Sequence, residues 1–308
     1  MNRFLLKIAL FCCLLLIGFG SLFFLADGYT DPFYLKFTSP RQENMLLGTS
    51  RAAHGLQPRV LNNCLEREFF NYSFSLLHSP FGPVYYESIK RKVDTTARDG
   101  CFIVAVDPWS ISSENDDPDD PSGFRETTGF LASVKDVTSS PNLEYLIKSL
   151  KGEYYRLVPM PRDLQLQHLH KDGWLEVKLP PDTTSFNRRS LYRAKRYLKN
   201  KMPLNRVSAT RLVYLEKIVA FLKQHGKVYL VRLPVHPEMA KVEQIYMPDF
   251  KDKIKNVVTL SDGYFDMHNL NHKFLYTDGN HLHRDSGAKV SALVGKFILE
   301  RSKGMALK

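Results

Sequence analysis

The stretch Asn44-Met45-Leu46-Leu47-Gly48-Thr49-Ser50-Arg51 reads as a short apolar strand that stops at a glycine and delivers a serine to its carboxyl end. Brief apolar runs bounded by turn signals suit strands buried in a parallel sheet. Outward from it, β-like runs alternate with helical patterns along the chain, which predicts a parallel sheet wrapped by helices. Strands are expected at residues 44–49, 69–74, 102–107, 228–233 and 257–260. Helices are expected at 84–97, 188–200, 207–225, 237–255 and 286–302.

About five strands make the fold class α/β, a flavodoxin-like three-layer sandwich. In an open parallel sheet, sites form outside the carboxyl ends of the strands. Ser50, the run 71–75 with Asn71 and Ser73, Asp107 and His236 are therefore expected on one rim. The stretch between Trp109 and Phe186 breaks the alternation. It opens on Glu114-Asn115-Asp116-Asp117-Pro118-Asp119-Asp120-Pro121, is rich in Pro, Ser and Thr, and holds one clear helical run at 141–150. Residues 110–185 read as an insertion over the rim, either a substrate-shaping lid or a flexible loop. The acidic run lacks the Asp-x-Asp-x-Asp-Gly spacing of a calcium loop, so a solvated turn is the preferred reading and no metal site is expected. No internal repeat, heptad pattern or Gly-rich phosphate loop is visible, and no cofactor is implied.

The amino terminus addresses the chain to a membrane. After Arg3 and Lys7, residues 8–26 carry no charge and are nearly all apolar, enough to cross a hydrocarbon core as a helix. The run is longer than an ordinary signal-peptide core and no Ala-x-Ala site closes it, so residues 1–27 read as an uncleaved anchor in preference to a removed signal. Arg3 and Lys7 place the short end in the cytoplasm and send residues 28–308 across as an outward-facing domain of a single-pass protein. Cys12 and Cys13 form no lipobox-like ending. About 280 residues then remain, enough for one large α/β domain.

With 43 Lys and Arg against 32 Asp and Glu, the net charge is +11. This suits solubility beside an anionic bilayer, or attraction to anionic envelope polymers or lipid headgroups. Nucleic acid is not an expected partner, because the chain is exported and carries no recognition motif. Cys64 and Cys101 are the only thiols of the exported part, and an oxidising compartment leaves both a disulfide and two free thiols open.

A second segment, Tyr276-Thr277-Asp278-Gly279-Asn280-His281-Leu282, precedes Gly287-Ala288 and a helical pattern. A hydroxyl nucleophile needs a base within hydrogen-bond reach, and the base needs an acceptor that holds its tautomer. Ser50, His281 and Asp278 supply those types. Asp278 and His281 suit one tight turn containing Gly279, where the carboxylate accepts from one imidazole nitrogen while the other faces Ser50. The plain alternatives are a Ser50 that only caps a helix, and an Asp278 and Asn280 that only shape a turn. His283 is the rival base.

Gly-Thr-Ser after a first strand, with Asp-x-x-His-Leu and a Gly shortly before a last helix, resembles the first and last blocks of the SGNH/GDSL hydrolase superfamily. The resemblance implies Ser50 as nucleophile, His281 as base and Asp278 as its orienting acceptor. The usual Gly-x-Asn-Asp block is replaced by Val104-Ala105-Val106-Asp107-Pro108-Trp109, and the Gly block of the oxyanion hole is not plain. The Ser50 N–H is then one oxyanion donor, and the second is expected from the loop after Asn71-Tyr72-Ser73-Phe74-Ser75, with Gly82 a further candidate. Asp107 is read as binding a substrate hydroxyl or pairing with Arg51, and His236 as a substrate contact or a structural group. His54, four residues after Ser50, is read as a neighbour without a catalytic role.

One anchor followed by an outward SGNH-like domain resembles envelope O-acyl-transfer proteins, including those that acetylate alginate and those that D-alanylate teichoic acids. That resemblance implies an acyl esterase or O-acyltransferase acting on a cell-envelope polysaccharide, with a membrane acyl donor as a partner. The alternative is a noncatalytic glycan-binding or envelope-assembly protein that keeps the fold.

Overall fold

In a computed structural model, residues 1–27, 31–157 and 166–303 are described. The junction expected between anchor and domain at 27/28 and residues 158–165 of the expected insertion lie at or outside those bounds. The central sheet has strands β1 (Asn44–Leu47), β2 (Phe69–Asn71), β3 (Gly100–Ala105), β4 (Gly226–Arg232) and β5 (Gly263–Asp266). All its pairings are parallel, and the spatial order is β2-β1-β3-β4-β5. The helices include α1 (Asn2–Leu22), α2 (Ser50–Gly55), α3 (Pro58–Leu65), α4 (Pro83–Lys92), α5 (Thr183–Arg196), α6 (Ala209–Lys223), α7 (Pro237–Tyr246) and α8 (Arg284–Ser302).

Alternate strand residues enter two separate cores, as the two-residue period of a strand dictates. Met45, Leu47, Phe102, Val104, Val228 and Leu230 join one apolar cluster, while Leu46, Ile103, Tyr229 and Val231 join another. Burial on both faces explains why these strands read as continuous apolar runs with no alternation. α6 packs against β4, whereas α8 packs on α2 and α3. The order reverses at β1, whose neighbours are β2 on one side and β3 on the other, so Ser50 leaves the sheet at its switch point.

Several expected elements differ. Residues 257–260 are the end of a helix, Lys255–Leu260, and the fifth strand is Gly263–Asp266. Phe250, Ile254 and Val257 are buried together at helical spacing, and that period outweighs the β-branched pair Val257-Val258. β5 is an edge strand with all four residues only half-buried, which leaves little hydrophobic signal. The helix expected over 237–255 stops at Tyr246, because Met247 precedes Pro248 and turns out of the helical region at φ −142 and ψ 73. The helix expected over 84–97 ends at Lys92, where Val93 turns extended and bridges Gln42. Cys64 and Cys101 are free thiols, so the disulfide is not formed.

The segment 110–185 is largely packed in place. Phe130, Leu131, Val134, Tyr145, Leu146 and Leu150 sit in the larger core with Phe37 and Phe74. A hairpin, Gln167–Leu169 with Leu175–Val177, lies beside the end of β2, where the Asn71 N–H donates to Asp172 O at 2.9 Å. α1 is long and apolar enough to cross a membrane, a character that a signal sequence shares, and none of its residues is buried. At its carboxyl end, Phe19 in the last turn and Phe23 just beyond meet Tyr154 edge to face at 5.4 and 5.7 Å.

Candidate active site

The chain turns sharply after β1. Gly48 has φ +147, and a Cβ there would stand 3.0 Å from both Ala105 O and Ala52 Cβ, so only glycine fits between β3 and α2. Thr49 is the N-cap residue and Ser50 the first residue of α2. Ala52 N and Ala53 N both donate to Thr49 O, leaving the Ser50 and Arg51 amides in the helix's unpaired first turn. The Ser50 hydroxyl is thus not engaged in capping.

On the opposite segment, Gly279 takes φ +87 and closes a turn in which the Asp278 carboxylate accepts from Asn280 N at 3.2 Å and His281 N at 3.1 Å. His281 Nδ1 lies 2.9 Å from Asp278 Oδ1, and its Nε2 lies 2.9 Å from Ser50 Oγ. Three residues 231 positions apart at the extreme thus form one hydrogen-bonded line at the carboxyl end of β1. Burial raises the Asp278 pKa, but the neighbouring imidazole, its hydrogen bond and the Arg193 guanidinium together hold the carboxyl far below the usual carboxylate range. It is ionised wherever the chain is folded near neutrality. His283, the rival base, is fully buried; its Nδ1 accepts from Asp285 N and its Nε2 lies 3.2 Å from Leu179 O, so it caps α8.

The residues expected to bind the oxyanion or substrate have other duties. Asn71 spends its amide N–H groups on Ala52 O at 2.9 Å and Leu56 O at 2.8 Å, and its Oδ1 accepts from Ser73 N. Ser73 is fully buried and donates its hydroxyl to Leu46 O. Its carbonyl accepts from Lys36 Nζ at 2.6 Å, a buried ammonium whose pKa burial pushes down to about 7. Neither Asn71 nor Ser73 has a donor left for an oxyanion. Gly82 starts α4 against Glu126 and Arg211. The Asp107 side chain caps a short helix, Pro108–Ile111, by accepting from Trp109 N and Ser110 N. His236 caps α7 through Glu238 N, and its own N–H donates to Gly279 O at 3.0 Å, so it braces the turn that carries Asp278.

Arg51 does pair with Asp107, but at 3.8 Å; Glu243 is its nearer partner at 2.6 Å. Its Nη2 donates to Asn280 Oδ1 at 2.7 Å and so bridges the serine helix to the histidine turn. Glu243 also accepts from Arg232 Nη2 and Trp109 Nε1, each at 3.0 Å. Burial opposes the Arg51 charge, yet Asp107 and Glu243 outweigh it and keep the guanidinium protonated. A buried ion cluster of this kind adds little net stability, while loss of one member leaves an uncompensated charge.

Sequence reading missed Arg193 and Glu243. Arg193 Nη2 donates to Asp278 Oδ2 at 2.7 Å. Both lie on charged helices with no motif, and only their place in space marks them. His54 is a neighbour, its ring centroid 4.8 Å from that of His281 and its Nδ1 2.9 Å from Leu175 O. Burial, with the adjacent His281, pushes its pKa down to about 3. A concavity of about 500 Å³ lies at the amino-terminal ends of β3 and β4 beside Arg67, Asp99 and Asp262, away from Ser50. Chemistry, not cavity size, identifies the site. Among the described residues no cluster of three or more His, Cys, Asp or Glu is arranged to hold a metal ion.

Comparison with known protein families, with curated proteins and with solved structures yields no match for this chain.

Proposed function

We propose that this chain is an SGNH/GDSL-type serine acyl esterase or O-acyltransferase acting on a cell-envelope polysaccharide or glycan. The observation that carries the reading is the contact of Ser50 Oγ with His281 Nε2 and of His281 Nδ1 with Asp278, at 2.9 Å each. Ser50 Oγ attacks an ester carbonyl while His281 Nε2 takes its proton, and ionised Asp278 stabilises the imidazolium. Collapse of the tetrahedral intermediate expels the alcohol, which receives that proton. Water or a sugar hydroxyl then attacks the acyl-serine, giving an acid or a transferred ester and restoring Ser50. The Ser50 N–H at the start of α2 is one oxyanion donor.

The strand order and the division of the core between two faces support a flavodoxin-like three-layer sandwich. The apolar α1, with Arg3 and Lys7 before its middle, supports a single-pass anchor with the domain on the outer side, where an envelope glycan and a membrane acyl donor are within reach. A noncatalytic glycan-binding role on the same scaffold is the second reading, and the saturated Asn71 amide favours it. Incubation of the full-length chain in detergent with a fluorophosphonate probe separates the two. The enzyme reading expects covalent labelling that maps to Ser50 and disappears in Ser50→Ala; a folded chain that takes no label is a binding protein.

A further inference from the structure

The Asp278 carboxylate is held from two sides. His281 Nδ1 lies 2.9 Å from Oδ1, while Arg193 Nη2 donates to Oδ2 at 2.7 Å. Arg193 is on α5, the helix that follows the long insertion, and the contact joins side chains 31% and 19% exposed, so it is only partly screened by water. α5 also abuts the turn itself. A Cβ on Gly279 would stand 3.3 Å from Ser190 Cα and 3.6 Å from Arg193 Cβ, so two residues on one face of α5 lie against the catalytic turn. His236 N braces the same glycine through Gly279 O at 3.0 Å.

We propose that Arg193 is a positioning residue for the base: its guanidinium fixes the plane of the Asp278 carboxylate so that His281 keeps its proton on Nδ1 and aims Nε2 at Ser50. This inference rests on the serine-site reading. A carboxylate rotates broadly about its last torsion, and His281 Nδ1 is almost equidistant from the two oxygens, at 2.9 and 3.0 Å. Imidazole alone therefore does not choose between them. The Asn280 and His281 amides hold Oδ1, and a cation on Oδ2 holds the other oxygen, so that the plane is pinned at both ends and the ionised carboxylate is favoured. Misplacing a catalytic group by 1 Å costs on the order of 100-fold in rate.

The test compares full-length wild type, Arg193→Met and Arg193→Lys in detergent, with near-ultraviolet circular dichroism to check packing. Turnover of an aryl acetate is measured beside the proton spectrum, where an Nδ1–H hydrogen-bonded to a carboxylate resonates far downfield. Arg193→Met is expected to lower kcat about 10- to 100-fold at unchanged KM and to shift or broaden that proton, and Arg193→Lys to recover most of both. If Arg193→Met does not fold, Arg193→Gln makes the same comparison. Wild-type kcat in the neutral variant overturns the proposal, as does a lost kcat with an unmoved proton, which would place Arg193 on the substrate. A wild-type chain without the downfield proton also overturns it. Should wild type cleave no ester, the serine-site reading fails, and the proton signal alone decides the role of Arg193.

Discussion

Ser50, His281 and Asp278 act on one another through a single line of hydrogen bonds, so their substitutions should not add. Ser50→Ala and His281→Ala are each expected to lower aryl-ester turnover about 10⁶-fold, and the double variant little further. Kinetics of the three variants check this, and near wild-type turnover in Ser50→Ala would remove Ser50 as the nucleophile. His54 makes a prediction about pH. Its folded pKa of about 3 lies below the unfolded value of about 6.5, so the unfolded chain binds more protons between them. Stability at this residue is therefore complete above about pH 6.5 and falls as pH drops toward about 3. Urea unfolding of wild type and His54→Asn at pH 7 and at pH 5 measures it, and the variant should show the smaller loss on acidification.

Elements are joined by residues whose types hint at one role and whose contacts assign another. Asn71 ends β2 and binds two carbonyls of α2 and its following turn, the helix that carries Ser50. Asn71→Ala leaves those buried acceptors unsatisfied and is expected to cost about 1–3 kcal/mol, read as a lowered urea midpoint at constant slope. Because the same bonds seat α2, ester turnover should fall as well; a variant with wild-type stability would show that water replaces the amide. The strands β1 to β4 were legible because burial on both faces writes an unbroken apolar run into the chain. β5 was not, since a half-buried edge strand such as Gly263–Asp266 has neither alternation nor an apolar run. The break at Met247-Pro248 was visible as a proline, but the apolar residues beyond it kept helical spacing and masked it.

At the scale of the whole molecule, the net charge of +11 and the apolar α1 bear on where the domain works. With Arg3 and Lys7 on the short flank, protease added to intact spheroplasts is expected to digest the domain. Complete protection would reverse the orientation and remove the envelope substrate. The segment 110–185 is more than a cover for the rim. It supplies Phe130, Tyr145 and Leu146 to the core, and its buried Glu126 neutralises buried Arg211 at 2.7 Å. The composition of that segment suggested a loop because Pro, Ser, Thr and Asp report turn chemistry, which says nothing of what the intervening aromatic residues pack against.

Short-range pattern by itself determined the α/β class, four of the five sheet strands and the apolar amino-terminal helix, while the resemblance of two distant segments to one family's blocks singled out Ser50, His281 and Asp278. Periodicity, turn glycines and the demands of one type of chemistry all act within a few residues or through residue type, so they are written locally. Tertiary structure alone decided that Asn71 and Ser73 are spent on backbone carbonyls, that Arg51 is paired chiefly with Glu243, and that Arg193 completes the grip on Asp278. Arg193 and Asp278 are 85 positions apart, and nothing in the residues between them encodes a 2.7 Å contact. A charged side chain on a helix reads as solvated until the packing of distant elements supplies its partner, and that packing is set by the entire core at once.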